Sequence, residues 1–371
     1  MADYRYIFLS LRDEVIIEEI PLFGVFAQRL LNAPGQFNGT YQLDQTGKNN
    51  IDLVGATIPG KCWMVMERDD VPVWWGIVWS RTYQSQSKSV QLYCTGFEIY
   101  PTHQLVLTNF TRNGINQLQI FIDLWSEMQA SAPGRNMNIN MPTSIPSSIT
   151  KDVKVLAVDR KYYIDSMNAI ANAADGFDWT IDVTRYGSGY KKNLLIGYPI
   201  LGSLFTADSL TFDYPGNILN YYETEGMPRA GTHIFGFGAG EGEAQLFSAV
   251  AYDDMVNDLG WPRWDNEISL KDINDQKALD GLTLQHAIKA KPPQNTYTLS
   301  LKSDLDPIFG SYGLGDACTL SIHDAKHPDL FQIQTRIVGW ELTPASSTST
   351  DEVKLVLPGD DVNGKIPVAA Q

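Results

Sequence analysis

Residues 73–82 have the sequence VWWGIVWSRT, which brings Trp74, Trp75 and Trp79 together in one short segment, shortly after Trp63. Successive side chains of a strand point to opposite faces, so Trp75 and Trp79 share one face and Trp74 lies on the other. An ordinary antiparallel sheet keeps one polar face, whereas both faces of this strand are apolar. Both faces are therefore expected to be covered. The cover is either another part of this chain or a second subunit, because aromatic enrichment is also typical of interfaces. A sugar-binding platform is a third, weaker alternative for these tryptophans.

The segments around this strand predict a β-rich N-terminal region. Apolar-rich or alternating runs, separated by polar turns, occupy residues 4–10, 15–20, 36–44, 63–67 and 88–95. Several short strands at even spacing indicate a β-barrel or a β-sandwich.

The two ends of the chain resemble each other. Residues 62–92 and 318–355 share an order of features: a cysteine that begins a strand, a turn, Ile-Val-Trp in the first and Ile-Val-Gly-Trp in the second, a polar loop and Val-x-Leu. This order predicts a duplicated β-domain, in which Trp340 takes a place comparable to Trp79. The alternative is that two antiparallel meanders with loops of similar length look alike by chance. The tryptophans expected in a core or a subunit contact are Trp63, Trp74, Trp75, Trp79 and Trp340.

The middle of the chain predicts an α+β unit between the β-rich parts. Apolar residues at three-four spacing indicate helices over residues 116–130, 162–174 and 272–289, the last one interrupted by Gly281. A hairpin is expected over residues 177–198, and the remaining C-terminal strands over residues 296–302, 317–323, 330–342 and 352–357. The fold class is therefore α+β and mostly β.

The charge and the cysteines exclude several classes of protein. Lys and Arg total 28 against 43 Asp and Glu, a formal net charge of −15, which argues against a protein that grips nucleic acid through its phosphates or binds an anionic membrane. Cys62, Cys94 and Cys318 are far apart and odd in number, so no disulfide framework or zinc knuckle is expected. No signal peptide and no membrane span are expected either, and the compartment of synthesis and folding is expected to resemble a cytosol.

Two loops have a partial likeness to binding motifs. Residues 236–242, GFGAGEG, place Glu241 where a dinucleotide fingerprint has its third glycine, and acidic residues repel a pyrophosphate. His323 and His327 are four residues apart, but Pro328 and the flanking strands indicate a loop tip rather than a zinc-binding helix. Neither loop is expected to hold a cofactor or a metal.

No catalytic constellation is found. The nucleophile elbow G-x-S-x-G is missing, and Cys94 lies on the apolar face of a strand, where a buried structural thiol is expected rather than a dyad with His103. The sequence therefore predicts a protein that is not an enzyme and has no cofactor.

In its order of motifs, the chain resembles the tail-tip minor tail proteins of long-tailed phages, the siphovirus type, and above all those of phages that infect actinobacteria. The family is similar to baseplate hub proteins. The resemblance spans residues 4 to about 358, and its segments are 4–9 (YRYIFL), 18–22 (EEIPL), 31–37 (LNAPGQF), 75–81 (WGIVWSR), 95–100 (TGFEIY), 197–202 (GYPILG), 214–217 (YPGN), 236–242 (GFGAGEG), 312–316 (YGLGD) and 336–342 (RIVGWEL).

The resemblance implies a homotrimer at the phage tail tip, in which each chain carries two tube-like β-barrel domains and three chains form a pseudo-sixfold ring. The implied domains are a first barrel (residues 1–100), an α+β domain (101–215), a linker or accessory domain that could complete a barrel (216–290), a second barrel (291–358) and a C-terminal tail (359–371). No catalytic residue is carried over from the family.

The implied partners are the distal tail protein or tail tube, the central fibre and other minor tail proteins, and the tape measure protein. The genome would leave through the ring without sequence-specific binding, and an acidic channel would keep it mobile. The implied location is the virion, after assembly in the host cytoplasm. The alternatives from other classes are a tail-tip cell-wall hydrolase and a carbohydrate-binding module for host attachment.

Overall fold

A computed structural model describes residues 2–43, 50–143, 145, 147, 149–173, 176–198, 200–203, 210–227, 230–271, 273–292, 294–302, 305–345 and 350–358. The fold is α+β and mostly β, which confirms the predicted class. The expected C-terminal tail, residues 359–371, lies outside the described residues.

The N-terminal region forms seven strands and one short helix. Alternation explains the strands, since every second residue from Ala33 to Tyr41 is buried. The bounds are β1 Tyr4–Ser10, β2 Ile16–Glu19, β3 Phe23–Leu30, β4 Ala33–Gln42, α1 Asn50–Ala56, β5 Cys62–Arg68, β6 Val71–Gln84 and β7 Ser89–Thr95.

The middle region packs helices against small sheets. The first of these helices begins where predicted, because the side chain of Asn116 accepts a hydrogen bond from the backbone N–H of Leu118 and caps it. After a 3-10 helix, Phe97–His103, the bounds are β8 Phe110–Asn116, α2 Gln117–Ala130, β9 Ile139–Asn140, β10 Thr150–Val155, α3 Tyr163–Ala171, β11 Asp178–Tyr186 and β12 Gly189–Gly197.

The C-terminal region contains a second set of strands with a small α/β insertion. The bounds are β13 Leu210–Tyr214, β14 Ile218–Gly226, β15 His233–Phe237, β16 Phe247–Ala251, α4 Asp253–Asn257, β17 Asp265–Ser269, α5 Gln276–Ala290, β18 Gln294–Leu301, β19 Ala317–Ile322, β20 Phe331–Arg336, β21 Gly339–Thr343 and β22 Glu352–Pro358. The insertion, β15 to α5, lies between two strands that pair with each other, β14 and β18.

One sheet of eleven strands joins both ends of the chain. Its order is β14-β18-β22-β21-β3-β4-β7-β6-β5-β1-β2, so β3 of the N-terminal region pairs with β21 of the C-terminal region. Side chains from both regions share one apolar core, to which Phe37, Trp74, Tyr297 and Trp340 contribute. A second core lies between the N-terminal strands and the middle region.

Five strands of the N-terminal region pair in the same way as six strands of the C-terminal region. In the first β unit, defined as β3, β4, β5, β6 and β7, the antiparallel pairs are β3·β4, β4·β7, β7·β6 and β6·β5. In the second β unit, defined as β14, β18, β19, β20, β21 and β22, they are β14·β18, β18·β22, β22·β21 and β20·β19. The long strand β6 therefore corresponds to β20 and β21 together.

The strand predicted over residues 330–342 is two strands. β20 pairs with β19 in a small sheet, β21 pairs with β22 and β3 in the large one, and the break falls at Ile337-Val338. β6 changes partner at the matching place: Ile77 is its last residue paired with β5, and a bulge between Val78 and Ser80 interrupts the ladder to β7. The apolar run alone could not reveal the break, because the pattern continues through it.

Candidate assembly interface

Residues 74–78 of the aromatic strand β6 are buried, and other parts of this chain cover both faces there. Trp74 lies in the core shared by the two β units, and its Nε1 donates to the carbonyl of Gln28 at 2.9 Å. Trp75 faces the middle region, where its Nε1 donates to the carbonyl of Ile181 at 2.9 Å. The guanidinium of Arg29 lies 3.9 Å from the centre of the Trp75 ring, a cation–π contact. For these two residues the cover is therefore internal.

The other three candidate tryptophans differ in exposure. Trp63 is fully buried and donates from Nε1 to the carbonyl of Ser10 at 3.2 Å. Trp340 is buried too, with its ring centre 5.1 Å from that of Phe309. Trp79 is 44% exposed. Of the five, Trp79 alone keeps enough exposed surface for a contact outside the chain.

The exposure of Trp79 follows from the bulge in β6. Trp79 is the extra residue between Val78 and Ser80, and it has no partner on β7. Its ring packs against His103, with the ring centres 5.1 Å apart. The alternation of faces along β6 is therefore interrupted at Trp79, which the sequence pattern predicts on the same face as Trp75.

The contact between the two β units is an antiparallel strand pair. β3 and β21 are hydrogen-bonded along one edge of each strand, and the side-chain Nε2 of Gln28 donates to Oε1 of Glu341 at 3.1 Å. The opposed residues are Ala27 and Leu342, Gln28 and Glu341, Arg29 and Trp340, and Leu30 and Gly339.

Several strand edges of the same sheet lack a partner strand among the described residues, and one of them belongs to β2, the terminal strand at the far end from β14, which pairs only with β1. β14 is the last strand of the sheet and pairs along one edge only, with β18. β6 pairs with β5 through residues 71–77, and that edge then continues without a partner strand to Gln84. Unpaired backbone edges are places where a further strand can add.

Charged side chains surround the free edge of β14. Lys326 Nζ lies 2.8 Å from Glu223 and 2.7 Å from Glu225, and His327 Nε2 lies 3.0 Å from Glu223. Burial by itself raises the pKa of Glu223, but hydrogen bonds from Lys326, His327 and Tyr297 outweigh it and hold the pKa below its usual value. The Glu223 carboxylate is therefore kept charged, while Glu225 is half exposed.

The glycine-rich segment 236–242 serves packing. A Cβ atom at Gly236 would lie 2.0 Å from Oγ1 of Thr283 on helix α5, and one at Gly238 would lie 2.9 Å from Cβ of Leu246. The glycines let α5 and the neighbouring turn approach the strand closely.

The two histidines of residues 323–327 lie in the turn between β19 and β20. The ring of His327 stacks on Phe331 at 4.6 Å between centres and contacts Glu223. Within the described parts of the chain, no group of three or more His, Cys, Asp or Glu side chains is placed to hold a metal ion.

The three cysteines are buried, apart from one another and free. Burial raises the pKa of each thiol, that of Cys318 to about 12. A thiol with a raised pKa is a poor nucleophile, and the ring of His103 packs against Trp79.

A small cleft lies beside the N-terminal strands. It has a volume of about 150 Å³ and is lined by Arg5, Glu19, Arg185 and Tyr190 among others. This is smaller than the roughly 300–1,000 Å³ of a typical small-molecule site.

No helix among the described residues is long and apolar enough to cross a membrane.

The fold has counterparts among solved structures. A tail protein from Neisseria meningitidis matches with a TM-score of 0.59 and 12% identity, over 96% of this chain and 97% of that one. The 43 kDa tail protein of prophage MuSo2 from Shewanella oneidensis matches with a TM-score of 0.59 and 7% identity, over 95% and 98%. The chain has the fold of a phage tail protein.

A further solved structure has a similar fold. The lidded form of the Francisella PdpA–VgrG complex matches with a TM-score of 0.57 and 7% identity, over the whole of this chain and 54% of that one. No protein-family model matches the sequence, and no curated protein is significantly similar to it. The likeness to phage tail proteins inferred from the sequence is thus confirmed at the level of the fold, while the siphovirus type and the closeness to phages of actinobacteria stay predictions.

Proposed function

We propose that this chain is a structural virion protein of a phage tail tip, a baseplate hub that assembles as a homotrimer. The observation that carries the proposal is the repeated strand pairing of the two β units within a chain of phage tail fold. Three chains contribute six such units, so their ring has a threefold symmetry that approximates a sixfold one. A ring of this kind fits a hexameric tail tube on one side and a threefold tip on the other.

The proposed partners follow from that position. The ring joins the tail tube or distal tail protein to the central fibre and other minor tail proteins, and it meets the end of the tape measure protein. The genome passes through its channel without sequence-specific binding. The net charge of −15 on each chain supports passage, because a basic lining would bind the phosphates of DNA and slow it.

The proposed role is not enzymatic. A hydrolase would need a convergent catalytic group, and the described residues bring together no metal cluster and no accessible thiol. A carbohydrate-binding platform would display its tryptophans, whereas four of the five candidates are buried. These observations favour a structural protein over both alternatives.

The copy number tests the proposal. We expect the purified chain, alone or with its tail-tube protein, to have the mass of a trimer in native mass spectrometry, and a map of the tail tip to show three copies. One, two or six copies at the tip would contradict the trimer, and turnover of purified peptidoglycan by the chain would contradict the structural role.

A further inference from the structure

The two β units of one chain are joined by a strand pair, and the strands equivalent to that pair each leave a backbone edge unpaired among the described residues. In the contact within the chain, β3 of the first β unit pairs with β21 of the second. The counterpart of β3 is β14, and the counterpart of β21 is the C-terminal half of β6. Both counterparts lack a strand partner along that edge among the described residues.

The ladders of the two units give the residue equivalence on β6. Leu92 of β7 lies opposite Arg81, and Val90 lies opposite Tyr83. In the second unit, Leu355 and Val353 of β22 lie opposite Trp340 and Leu342. With Val90-x-Leu92 aligned to Val353-x-Leu355, as in the sequence repeat, the positions that correspond are Ser80 with Gly339, Arg81 with Trp340, Thr82 with Glu341, and Tyr83 with Leu342. Trp340 therefore corresponds to Arg81 and not to Trp79, the residue that the sequence order predicts, in part because the bulge at Trp79 adds one residue to β6.

The equivalence on β14 follows in the same way. Phe37 of β4 and Tyr297 of β18 are both buried aromatic residues, and each lies two residues before the partner of the aligned leucine. Phe37 opposes Ala27, and Tyr297 opposes Glu223. The positions that correspond are therefore Glu223 with Ala27, Thr224 with Gln28, Glu225 with Arg29, and Gly226 with Leu30.

We propose that β14 of one copy pairs antiparallel with the C-terminal half of β6 of the next copy, in the register of the internal β3·β21 contact. The occupant of each free edge is thus a second copy of this chain. The inference rests on the proposed ring and adds its strand register. The pairs across the contact are Glu223 with Tyr83, Thr224 with Thr82, Glu225 with Arg81, and Gly226 with Ser80.

The side chains at these positions suit the pairing. Glu225 opposite Arg81 is a cross-strand pair of opposite charge, which favours the register. Within the chain, Nη1 of Arg81 also donates to the carbonyl of Val54 at 2.6 Å and to Oγ1 of Thr57 at 3.0 Å, so Arg81 would share its guanidinium between these acceptors and Glu225. Thr224 and Thr82 are both exposed, and their counterparts Gln28 and Glu341 are hydrogen-bonded in the internal contact. Trp79, the half-exposed candidate tryptophan, lies beside Ser80 at the end of the paired segment.

The contact is heterologous, because each copy offers β14 to one neighbour and β6 to the other. A heterologous contact closes into a ring when its rotation fits a whole number of copies, and pairing hides both strand edges. Because the register is the same in both contacts, the rotation from one chain to the next resembles the rotation from one β unit to the other within a chain.

A disulfide tests the register directly. Opposed Cα atoms of antiparallel strands lie about 4.5–5.5 Å apart, within the range that a disulfide spans. The Thr82→Cys/Thr224→Cys variant should form covalent dimers and trimers on mild oxidation, seen on a non-reducing gel. The native cysteines are buried and do not interfere. Thr82→Cys/Ser269→Cys is the matched control, because Ser269 is an exposed strand residue of the insertion, outside the contact.

A charge exchange tests the pair at its centre. Arg81→Glu should lower the trimer fraction at least tenfold, and Arg81→Glu/Glu225→Arg should restore most of it. Glu267→Arg, which reverses an exposed strand glutamate outside the contact, should leave the trimer unchanged.

The outcomes separate the register from the ring. If the wild type is trimeric but the Thr82→Cys/Thr224→Cys variant forms no covalent oligomer, the register is overturned and the ring stands. The same holds if the wild type is trimeric but Arg81→Glu/Glu225→Arg does not restore the trimer that Arg81→Glu loses. A wild type that stays monomeric, alone and with its tail proteins, overturns the ring and the register together.

Discussion

Arg336 donates hydrogen bonds to both carboxylate oxygens of Asp178, and both side chains are buried where the second β unit meets the middle region. The same carboxylate accepts a hydrogen bond from Asn32 Nδ2 at 2.8 Å and one from the backbone N–H of Leu201 at 3.0 Å. Asp178 thus ties together three parts of the chain that are far apart in sequence.

Removal of this carboxylate should destabilise the protein strongly. Asp178→Ala leaves Arg336 with a buried and uncompensated charge, so the free energy of unfolding should fall by about 3–5 kcal/mol. Chemical denaturation measures the loss. Asp265→Ala is the control, because its ion pair with Arg263 is more than half exposed and should contribute at most about 1 kcal/mol. Equal losses in the two variants would contradict the prediction.

Trp75 and Trp79 should behave differently although they lie in one strand. Trp75→Ala removes a buried ring and should lower the free energy of unfolding by about 3–5 kcal/mol. Trp79→Ala should change the stability of the monomer by about 0.5 kcal/mol or less and weaken assembly instead. Denaturation of dilute protein and native mass spectrometry separate the two effects. A Trp75→Ala variant as stable as the wild type would show that its ring is not part of the core.

Acid should weaken the protein through Glu223. Its folded-state pKa lies below the unfolded value of about 4.3, so its contribution is present in full above pH 4.3 and is lost as the pH falls through the folded-state pKa. Between about pH 5 and pH 3, the melting temperature of the wild type should fall more steeply than that of Glu223→Gln. Glu267→Gln, at an exposed strand position, should follow the wild type. Parallel curves for all three proteins would refute the role of Glu223.

Two glycines near helix α5 should respond in opposite directions to alanine. Gly236→Ala places a methyl group against Thr283 and should cost about 1–3 kcal/mol, while Gly281 has open space around it and Gly281→Ala should add about 0.5–1 kcal/mol. Hydrogen exchange of β15 locates the change. Thr283→Ala should rescue part of the Gly236→Ala loss, and the absence of any rescue would place the clash elsewhere.

The sequence alone specified the elements whose signals are local. Helix α2 follows from the spacing of its apolar residues and from the cap at Asn116, and the hairpin of β11 and β12 from a glycine turn between two alternating runs. The mostly β class and the similar order of motifs at the two ends of the chain could also be predicted, because periodicity and motif order are read from short segments of sequence.

Only the tertiary structure decided which strands meet and which edges stay open. The break at Ile337-Val338, the bulge that exposes Trp79, and the ion pair of Asp178 with Arg336 all depend on partners far along the chain. A local pattern indicates that a segment is apolar and extended, but it does not identify the strand with which that segment forms a hydrogen-bond ladder. The free edges of β14 and β6 therefore become visible only once the partners of the other strands are known.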